Sequence, residues 1–344
     1  MTRSLPGVAD VARLAGVSTA TVDRVLHRRP GVRQATVQRV VQAAAQLDYL
    51  PRHELHAALA PEPMQLLFVL PDRSSLFLRM LGEWVGFSQE HWAPFNVNCK
   101  TAFIQSFDPE ALAALLRRRG QRVDGVAFMA LEHPLVREAV DRLAELGVPS
   151  ITLVSDLSHS KRVAYVGLDN RAAGRTAAYL IGRFLGPARR AKVAMIAGSL
   201  SYRAHEEREA GFMQLMAEEY PQLQVLDLRE GYDDERTNYR QTRAILEQHP
   251  DLAAIYNIGG AAEGVGRALK EGGHEHRVVF IGHGLTPDTR ALLIDGTMDA
   301  VINQSPQSAI LTCVRIFTNL RDRRDMMSGV EATRSQVIFR ENLP

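Results

Sequence analysis

The sequence has little cysteine and no long apolar segment. Its 344 residues include two cysteines, Cys99 and Cys313, which lie too far apart for a metal-ligand or disulfide pattern. We therefore expect buried or neutral thiols and no metal site. No apolar stretch approaches the ~20 residues of a membrane span, and the first residues lack the apolar run of a signal peptide. These absences predict a cytoplasmic protein without a membrane partner.

Motifs of the common enzyme classes are also missing. The glycine-bearing stretch 258–266 contains no Gly-x-Gly-x-x-Gly and is not followed by Lys-Ser/Thr, so it does not match a phosphate loop. His205 and Glu206 lack the second histidine of a zinc-protease helix, because residue 209 is Glu209. No Gly-x-Ser-x-Gly elbow occurs. The sequence thus predicts no catalytic residue, no cofactor and no enzyme activity, and it places His205 on a helix surface or at a pocket rim.

Lysine is absent from the first 60 residues, which instead carry eight arginines and four acidic residues. This segment has a charge of about +4, whereas the whole chain has a net charge of +2. The basic surplus is therefore local, as binding to phosphate groups requires. With 46% hydrophobic and 23% charged residues, the chain is otherwise typical of a folded protein of two or three domains.

Residues 8–28 predict two short helices joined by a tight turn. Residues 8–15 have apolar side chains at helical spacing, Gly16 tolerates the positive φ of a reversal, and Ser18 caps a second helix over 19–26. Such helix pairs also occur in domains that do not bind nucleic acid. The local positive charge favours DNA, which the outer face of the second helix would contact. That face consists of Thr19, Ala20, Asp23, Arg24, His27 and Arg28.

A third helix over 36–47 would close a three-helix core, and a connector that can form a helix follows at 52–60 before Pro61 and Pro63. From residue 65 onward, short apolar segments alternate with amphipathic helices. This alternation predicts parallel sheets with helices on both faces, and its length predicts two lobes. The expected strands are 66–70, 97–103, 125–129, 150–154, 193–197, 225–228, 254–257, 278–281, 300–303 and 336–339.

Ligands of such sheets bind beyond the carboxyl ends of the strands. The candidate pocket positions are therefore those that directly follow each predicted strand. They fall at 71–77, 130–133, 154–156, 199–208, 257–263, 283–285 and 304.

In the order of its motifs, nearly the whole chain resembles the LacI/GalR family of transcriptional regulators. These motifs are VADVARLAGVSTATVDRVL at 8–26, LDYLP at 47–51, YVGLDNRAAGRTAAYLI at 165–181, EREAGF at 207–212 and Asn-Gln at 303–304. The resemblance implies an α/β fold in which an N-terminal helix-turn-helix, three-helix DNA-binding domain precedes a two-lobed sensor similar to periplasmic sugar-binding proteins.

The implied domains are a DNA-binding domain at 1–51, a hinge at 52–62 and an effector-binding and dimerisation domain at 63–344. Within the last domain, one lobe would comprise about 63–168 and 298–330. The other would comprise about 169–297 and 331–344.

The resemblance also assigns roles to the second helix. It implies a homodimer that binds a near-palindromic operator of double-stranded DNA. Base edges would be read by Thr19, Ala20 and Arg24, and phosphates would be contacted by Ser18, Thr21, His27 and Arg28.

The hinge departs from the family pattern. Relatives place a leucine seven residues after the hinge proline, where it wedges into the minor groove. Here that position holds Ala58, and Leu59 follows one residue later. Either Leu59 still acts as the wedge, or DNA bending is weaker.

The implied effector is a carbohydrate, and its pocket departs from the usual template. Arg208 and Gln304 match family pocket positions, although Gln304 also fits a polar residue at a strand edge. His283 and Ser155 stand where relatives have aspartate, and this loss of carboxylates favours an acidic or phosphorylated sugar. The candidate residues are Arg73, Ser74, Phe77, Glu132, Ser155, Asp156, Arg203, Arg208, Asn257, Glu263, His283 and Gln304.

The expected mechanism is allosteric repression, or less often activation, by a nucleoid-associated protein. Closure of the lobes around the effector would change the dimer contacts and the hinge, and with them the operator affinity. Two alternatives are disfavoured. A periplasmic-type solute receptor would not begin with a basic three-helix unit, and a sugar-processing enzyme would need a catalytic motif.

Overall fold

The computed structural model describes residues 6–27, 29–49, 62–71, 75–86, 92–105, 107–187 and 189–344. The chain divides into two compact units, Met1–Pro63 and Met64–Pro344. Most of the predicted hinge, including Leu59, lies outside the described residues.

The first unit is a three-helix bundle. Its helices are α1 (Val8–Ala15), α2 (Thr19–Leu26) and α3 (Gln34–Gln46). Gly16 ends α1 with a φ of 66°, and the Ser18 hydroxyl caps α2 by accepting from the Thr21 amide at 3.2 Å. The predicted bounds of α1 and α2 are confirmed, and α3 begins two residues earlier than expected. The core consists of small and β-branched side chains from all three helices: Val11, Ala12, Ala15, Val22, Val25, Val40, Val41, Ala43 and Ala44.

The first lobe of the second unit is built on a five-stranded parallel sheet. Its strand order is β2-β1-β3-β4-β5. The strands are β1 (Met64–Pro71), β2 (Val97–Ile104), β3 (Gly125–Phe128), β4 (Ser150–Leu153) and β5 (Ala164–Val166). The helices are α4 (Leu76–Gly86), α5 (Pro109–Arg119) and α6 (Pro134–Glu145), with 3₁₀ turns at Ala93–Phe95 and Gly120–Arg122.

The second lobe is built on a seven-stranded sheet of order β12-β11-β10-β9-β6-β7, in which β8 also pairs with β6. The pairings are parallel except for that of β12 with β11. The strands are β6 (Ala191–Ala197), β7 (Leu223–Val225), β8 (Arg229–Glu230), β9 (Leu252–Asn257), β10 (Val279–His283), β11 (Ala300–Asn303) and β12 (Gln336–Ile338). The helices are α7 (Asn170–Leu185), α8 (Arg203–Glu219), α9 (Glu235–Gln248), α10 (Ala262–Glu271) and α11 (Pro287–Ile294), with a 3₁₀ turn at Arg340–Asn342.

The chain returns to the first lobe later than the sequence suggested. Residues 298–303 were expected there, but β11 lies in the second sheet because Ile281 pairs with Ala300. The return is made by α12 (Pro306–Arg321), whose Ile310, Cys313 and Phe317 are buried in the core of the first lobe. The chain crosses back before β12. The short strands β5 and β8 were not predicted.

Both sheets are covered on both faces. Strand β1 is apolar along most of its length, as expected for a parallel strand with helices on either side. Cys313 is buried and Cys99 is partly buried, and burial raises the pKa of both thiols, that of Cys99 to about 12. In the described ranges, no helix combines the length and apolar character that a membrane crossing needs. In the same ranges, no three His, Cys, Asp or Glu side chains cluster as metal ligands would.

Candidate functional site

A cavity lies between the lobes, where the carboxyl ends of strands from both sheets meet. It contains about 510 Å³ of non-protein space, a figure that includes its open mouth. Ser75, Phe77 and Val154 line it from the first lobe. The polar lining from the second lobe comprises His205, Arg208, Asp233, His283 and Gln304.

Arg208 is the buried cation of this cavity. Its side chain is 6% exposed, and its guanidinium donates from Nε to Asn170 Oδ1 at 2.9 Å and from Nη1 to the Ile258 carbonyl at 2.8 Å. Among the described residues, no carboxylate forms an ion pair with it, and Nη2 makes no hydrogen bond. Burial lowers the pKa of the guanidinium, but an arginine stays protonated in proteins. Arg208 is thus held rigidly with donor capacity left for a ligand.

Asp233 supplies a carboxylate that sequence reasoning missed. It follows the two-residue strand β8, has a φ of 52°, and accepts from the Gly260 amide through Oδ1 at 2.7 Å. Glycines make this approach possible, because a Cβ at Gly198 or Gly259 would lie 2.5 Å from that oxygen. Glycines at the ends of β6 and β9 were the available signal. The cavity therefore contains a negatively charged hydrogen-bond acceptor, Asp233, as well as the cation Arg208.

Two neutral histidines complete the polar wall. Burial lowers the pKa of His205 to about 4, and its Nδ1 lies 3.2 Å from the Ser199 amide. Burial, followed by the nearby charge of Arg208, lowers the pKa of His283 well below its usual value. His283 Nε2 lies 2.8 Å from the Tyr256 hydroxyl. His205 is a buried wall residue, although the sequence placed it on a helix surface or at a pocket rim.

Gln304 and Phe77 provide two further kinds of contact. Gln304 is 5% exposed, and its Oε1 finds no hydrogen-bond partner among the described residues. A buried polar atom without a partner favours a ligand or a water at this position. Phe77 lies beside Gly284, where an added Cβ would be 3.4 Å from its ring. The ring gives the cavity an apolar wall suited to the apolar face of a sugar.

Several predicted pocket residues are engaged elsewhere. Glu132 accepts from Arg137 at 2.7 Å and from the Ser158 amide at 2.9 Å. Burial alone would raise the pKa of Asp156, but hydrogen bonds from Arg162 and Thr152 outweigh it and lower the pKa. These two acids line a neighbouring pocket with Arg203.

Of the remaining candidates, Ser155 is fully buried, and its hydroxyl accepts from the Ala204 amide at 3.3 Å. Asn257 is buried and donates to the Gly260 carbonyl at 2.9 Å, whereas Glu263 lines an adjoining pocket. Arg73 and Ser74 lie outside the described residues.

In the three-helix unit, the predicted DNA-contacting residues form one surface. Ser18, Thr19, Ala20, Arg24 and His27 are exposed and Thr21 is half-buried, whereas Arg28 lies outside the described residues. Sequence reasoning missed the pairing of Asp23, whose carboxylate lies 3.0 Å from both His27 Nδ1 and Arg29 Nη1. The negative charge of Asp23 on α2 is therefore offset by its basic neighbours.

Two family models match the chain. The periplasmic binding protein domain matches residues 102–323, and the DNA-binding domain of the bacterial LacI family of regulatory proteins matches residues 8–52. The chain belongs to the periplasmic-binding-protein domain family, and it carries a LacI-type helix-turn-helix in front of that domain. The fold class and the family resemblance inferred from the sequence are confirmed.

Curated relatives include transcriptional regulators. The transcriptional repressor PurR of Vibrio cholerae is 27% identical over 61% of this chain and 60% of its own length. Catabolite control protein A of Priestia megaterium is 25% identical over 48% of each chain, and MalR of Streptococcus pneumoniae is 27% identical over 75% of this chain and 77% of its own. The chain thus spans about 60% of the length of PurR.

Solved structures of sugar-binding proteins share the fold. The glucose-galactose binding protein GanP of Geobacillus stearothermophilus is 22% identical with a TM-score of 0.73, and the match covers 83% of this chain and all of GanP. A solute binding protein of Actinobacillus succinogenes with bound D-allose is 19% identical with a TM-score of 0.72, over 81% of this chain and 98% of its own. At these identities, the likeness shows the fold alone.

Proposed function

We propose that this protein is a sequence-specific DNA-binding transcriptional repressor, controlled by a small carbohydrate and active as a homodimer on a near-palindromic operator. The observation that carries this proposal is the pairing of a LacI-type helix-turn-helix, with Thr19, Ala20 and Arg24 exposed on α2, and a two-lobed domain with a polar cavity. A solute receptor or an enzyme does not need a helix-turn-helix.

The cavity favours a neutral sugar over an acidic one. Arg208 can donate to hydroxyl or ring oxygens, Asp233 and Gln304 can accept from hydroxyls, and Phe77 offers an apolar face. Asp233 would repel a carboxylate or a phosphate in the same small space. The ends of β4 and β10 lack carboxylates, which suggested an acidic ligand. Asp233, which follows β8, supplies the cavity with a carboxylate instead.

A sugar changes operator affinity only as far as it binds the two arrangements of the lobes unequally. Binding between the lobes satisfies this condition, because closure brings Phe77 and Arg208 onto the same ligand. The change would pass to the DNA-binding unit through the hinge and the dimer contacts.

Two measurements test the proposal. Selection from a randomised duplex DNA library should yield a near-palindromic motif with the wild-type protein. A thermal-shift screen of neutral aldoses and ketoses, their acids and their phosphates should show stabilisation by neutral sugars. Failure to enrich any motif would reject DNA recognition, and stabilisation by acids or phosphates alone would reject the neutral ligand.

A further inference from the structure

Three aromatic side chains join the two lobes outside the cavity lining. Phe107 precedes α5 in the first lobe, while Tyr202 and Tyr232 belong to the second. The ring of Phe107 lies 5.1 Å from that of Tyr202 and 5.8 Å from that of Tyr232, with interplanar angles of 54° and 80°. These are the tilted and edge-on arrangements that aromatic pairs prefer.

Tyr202 is buried in the apolar core of the first lobe, although it belongs to the second. It is 2% exposed, and it packs with the first-lobe core cluster directly before the start of α8. Phe107 and Tyr232 have φ values of 61° and 56°. Bulky side chains rarely adopt this backbone conformation, which persists where surrounding contacts hold it.

A side chain of the first lobe also caps α8. The N-cap residue Tyr202 makes no side-chain cap, and the Ala204 amide in the first turn donates instead to Ser155 Oγ at 3.3 Å. Ser155 is placed by a tight turn in which its amide donates to the Leu153 carbonyl at 2.7 Å, across a Val154 with a φ of 65°. Such three-residue turns are strained, above all with a β-branched centre.

Helix α8 then leads directly into the cavity. His205 and Arg208, which line it, lie in the first two turns of the helix. Contacts from the first lobe therefore fix the start of the helix that presents the main cation of the site.

We propose that Phe107 and Ser155 form an interlobe latch that holds the start of α8 against the first lobe while the cavity is empty. Both are positioning residues that act on Arg208 and His205 through α8, and their importance for regulation rests on the proposed sugar-sensing function. The latch sets how often the empty sensor is already closed, and hence how much of a ligand's binding energy is consumed in closing the lobes.

Amide hydrogen exchange of the full-length protein without ligand tests the latch. Phe107→Ala and Ser155→Ala should each speed exchange at the Glu132 amide at least tenfold, because opening breaks the hydrogen bond that this first-lobe amide donates to the Ser201 carbonyl of the second lobe at 3.1 Å. Exchange in β9 should stay unchanged, which shows that the second lobe remains folded. Tyr179→Ala removes an exposed aromatic ring from α7 and should leave the Glu132 amide unaffected.

The conservative variant Phe107→Tyr keeps the ring and should restore slow exchange. If Phe107→Ala unfolds the whole first lobe, the latch is tested by Ser155→Ala instead. Unchanged exchange at Glu132 in Ser155→Ala would overturn the latch. Because no DNA or sugar is present, this outcome is independent of the selection and thermal-shift tests of the proposed function.

Discussion

The DNA-binding unit and the sensor cavity carry recognition residues of opposite character. On α2, the candidate contacts are exposed, and the core below them is formed by other residues of the same helices. In the cavity, Arg208, His205 and Gln304 are each at least nine-tenths buried, and Arg208 is held by hydrogen bonds to Asn170 and Ile258, which lie far from it along the chain. Substitutions of exposed side chains within α2 should therefore change binding alone, whereas those in the cavity should change both binding and the properties of the folded protein.

The largest effect is expected from Arg208→Met. The variant loses charge-assisted hydrogen bonds to the sugar, worth roughly 3 to 5 kcal/mol for two bonds, and affinity should fall at least 100-fold. Calorimetric titration with the sugar that stabilises the wild type most provides the measurement. Arg175→Met, at a partly exposed ion pair on α7, is the matched control and should bind normally. Equal affinity in the two variants would contradict the role of Arg208.

The stability of the sensor unit, Met64–Pro344, should depend on pH through its buried histidines. His205 has a folded pKa of about 4 against an ordinary value of 6.5, so the unfolded chain binds the proton more readily. The stability that follows from its neutral form is complete above pH 6.5 and is lost as the pH falls towards 4. The loss amounts to about 3 kcal/mol, and His283 acts in the same direction. Denaturant unfolding of the sensor unit, followed through its tryptophans, should show this slope, and His205→Gln should reduce it.

Arg24→Ala tests the exposed surface. Loss of a bidentate base contact should weaken binding to the selected operator by about 2 kcal/mol, and the selected motif should become degenerate at one base pair in each half-site. The free energy of unfolding should stay within about 0.5 kcal/mol of wild type, because the side chain is exposed. Arg39→Ala, an exposed arginine of α3, serves as the control. A motif that changes equally in both variants would remove Arg24 from base reading.

The smallest effect is expected from Ser18→Ala. Loss of the cap on α2 should cost about 1 kcal/mol and speed exchange of the Thr21 amide severalfold, with no effect on the sensor unit. Amide exchange resolved by NMR would measure it, and Ser18→Thr should retain most of the protection. An unaffected Thr21 amide in Ser18→Ala would show that this cap does not stabilise α2.

The same contrast explains which parts of the protein the sequence predicts. Gly16 and Ser18 act within a few residues of the chain, so the helix-turn-helix can be inferred from spacing alone. Arg208 was found because it lies in the EREAGF motif of the family resemblance, on the helix that follows β6. Asp233 was not, because it follows a two-residue strand and reaches the cavity through gaps left by Gly198 and Gly259. Ser155 was expected to face a ligand, yet its hydroxyl caps a helix that begins 48 residues later along the chain.

The order in which the lobes can fold follows from strand β12. Its residues 336–338 form the antiparallel edge of the second sheet, and Ile338 is buried against that lobe. During synthesis from the N-terminus, the sheet therefore waits for its edge strand until the chain has passed through α12 in the other lobe. Until then β11 exposes an unpaired edge that another chain could pair with. Chaperone demand and aggregation should thus concentrate in nascent chains that end between residues 303 and 336.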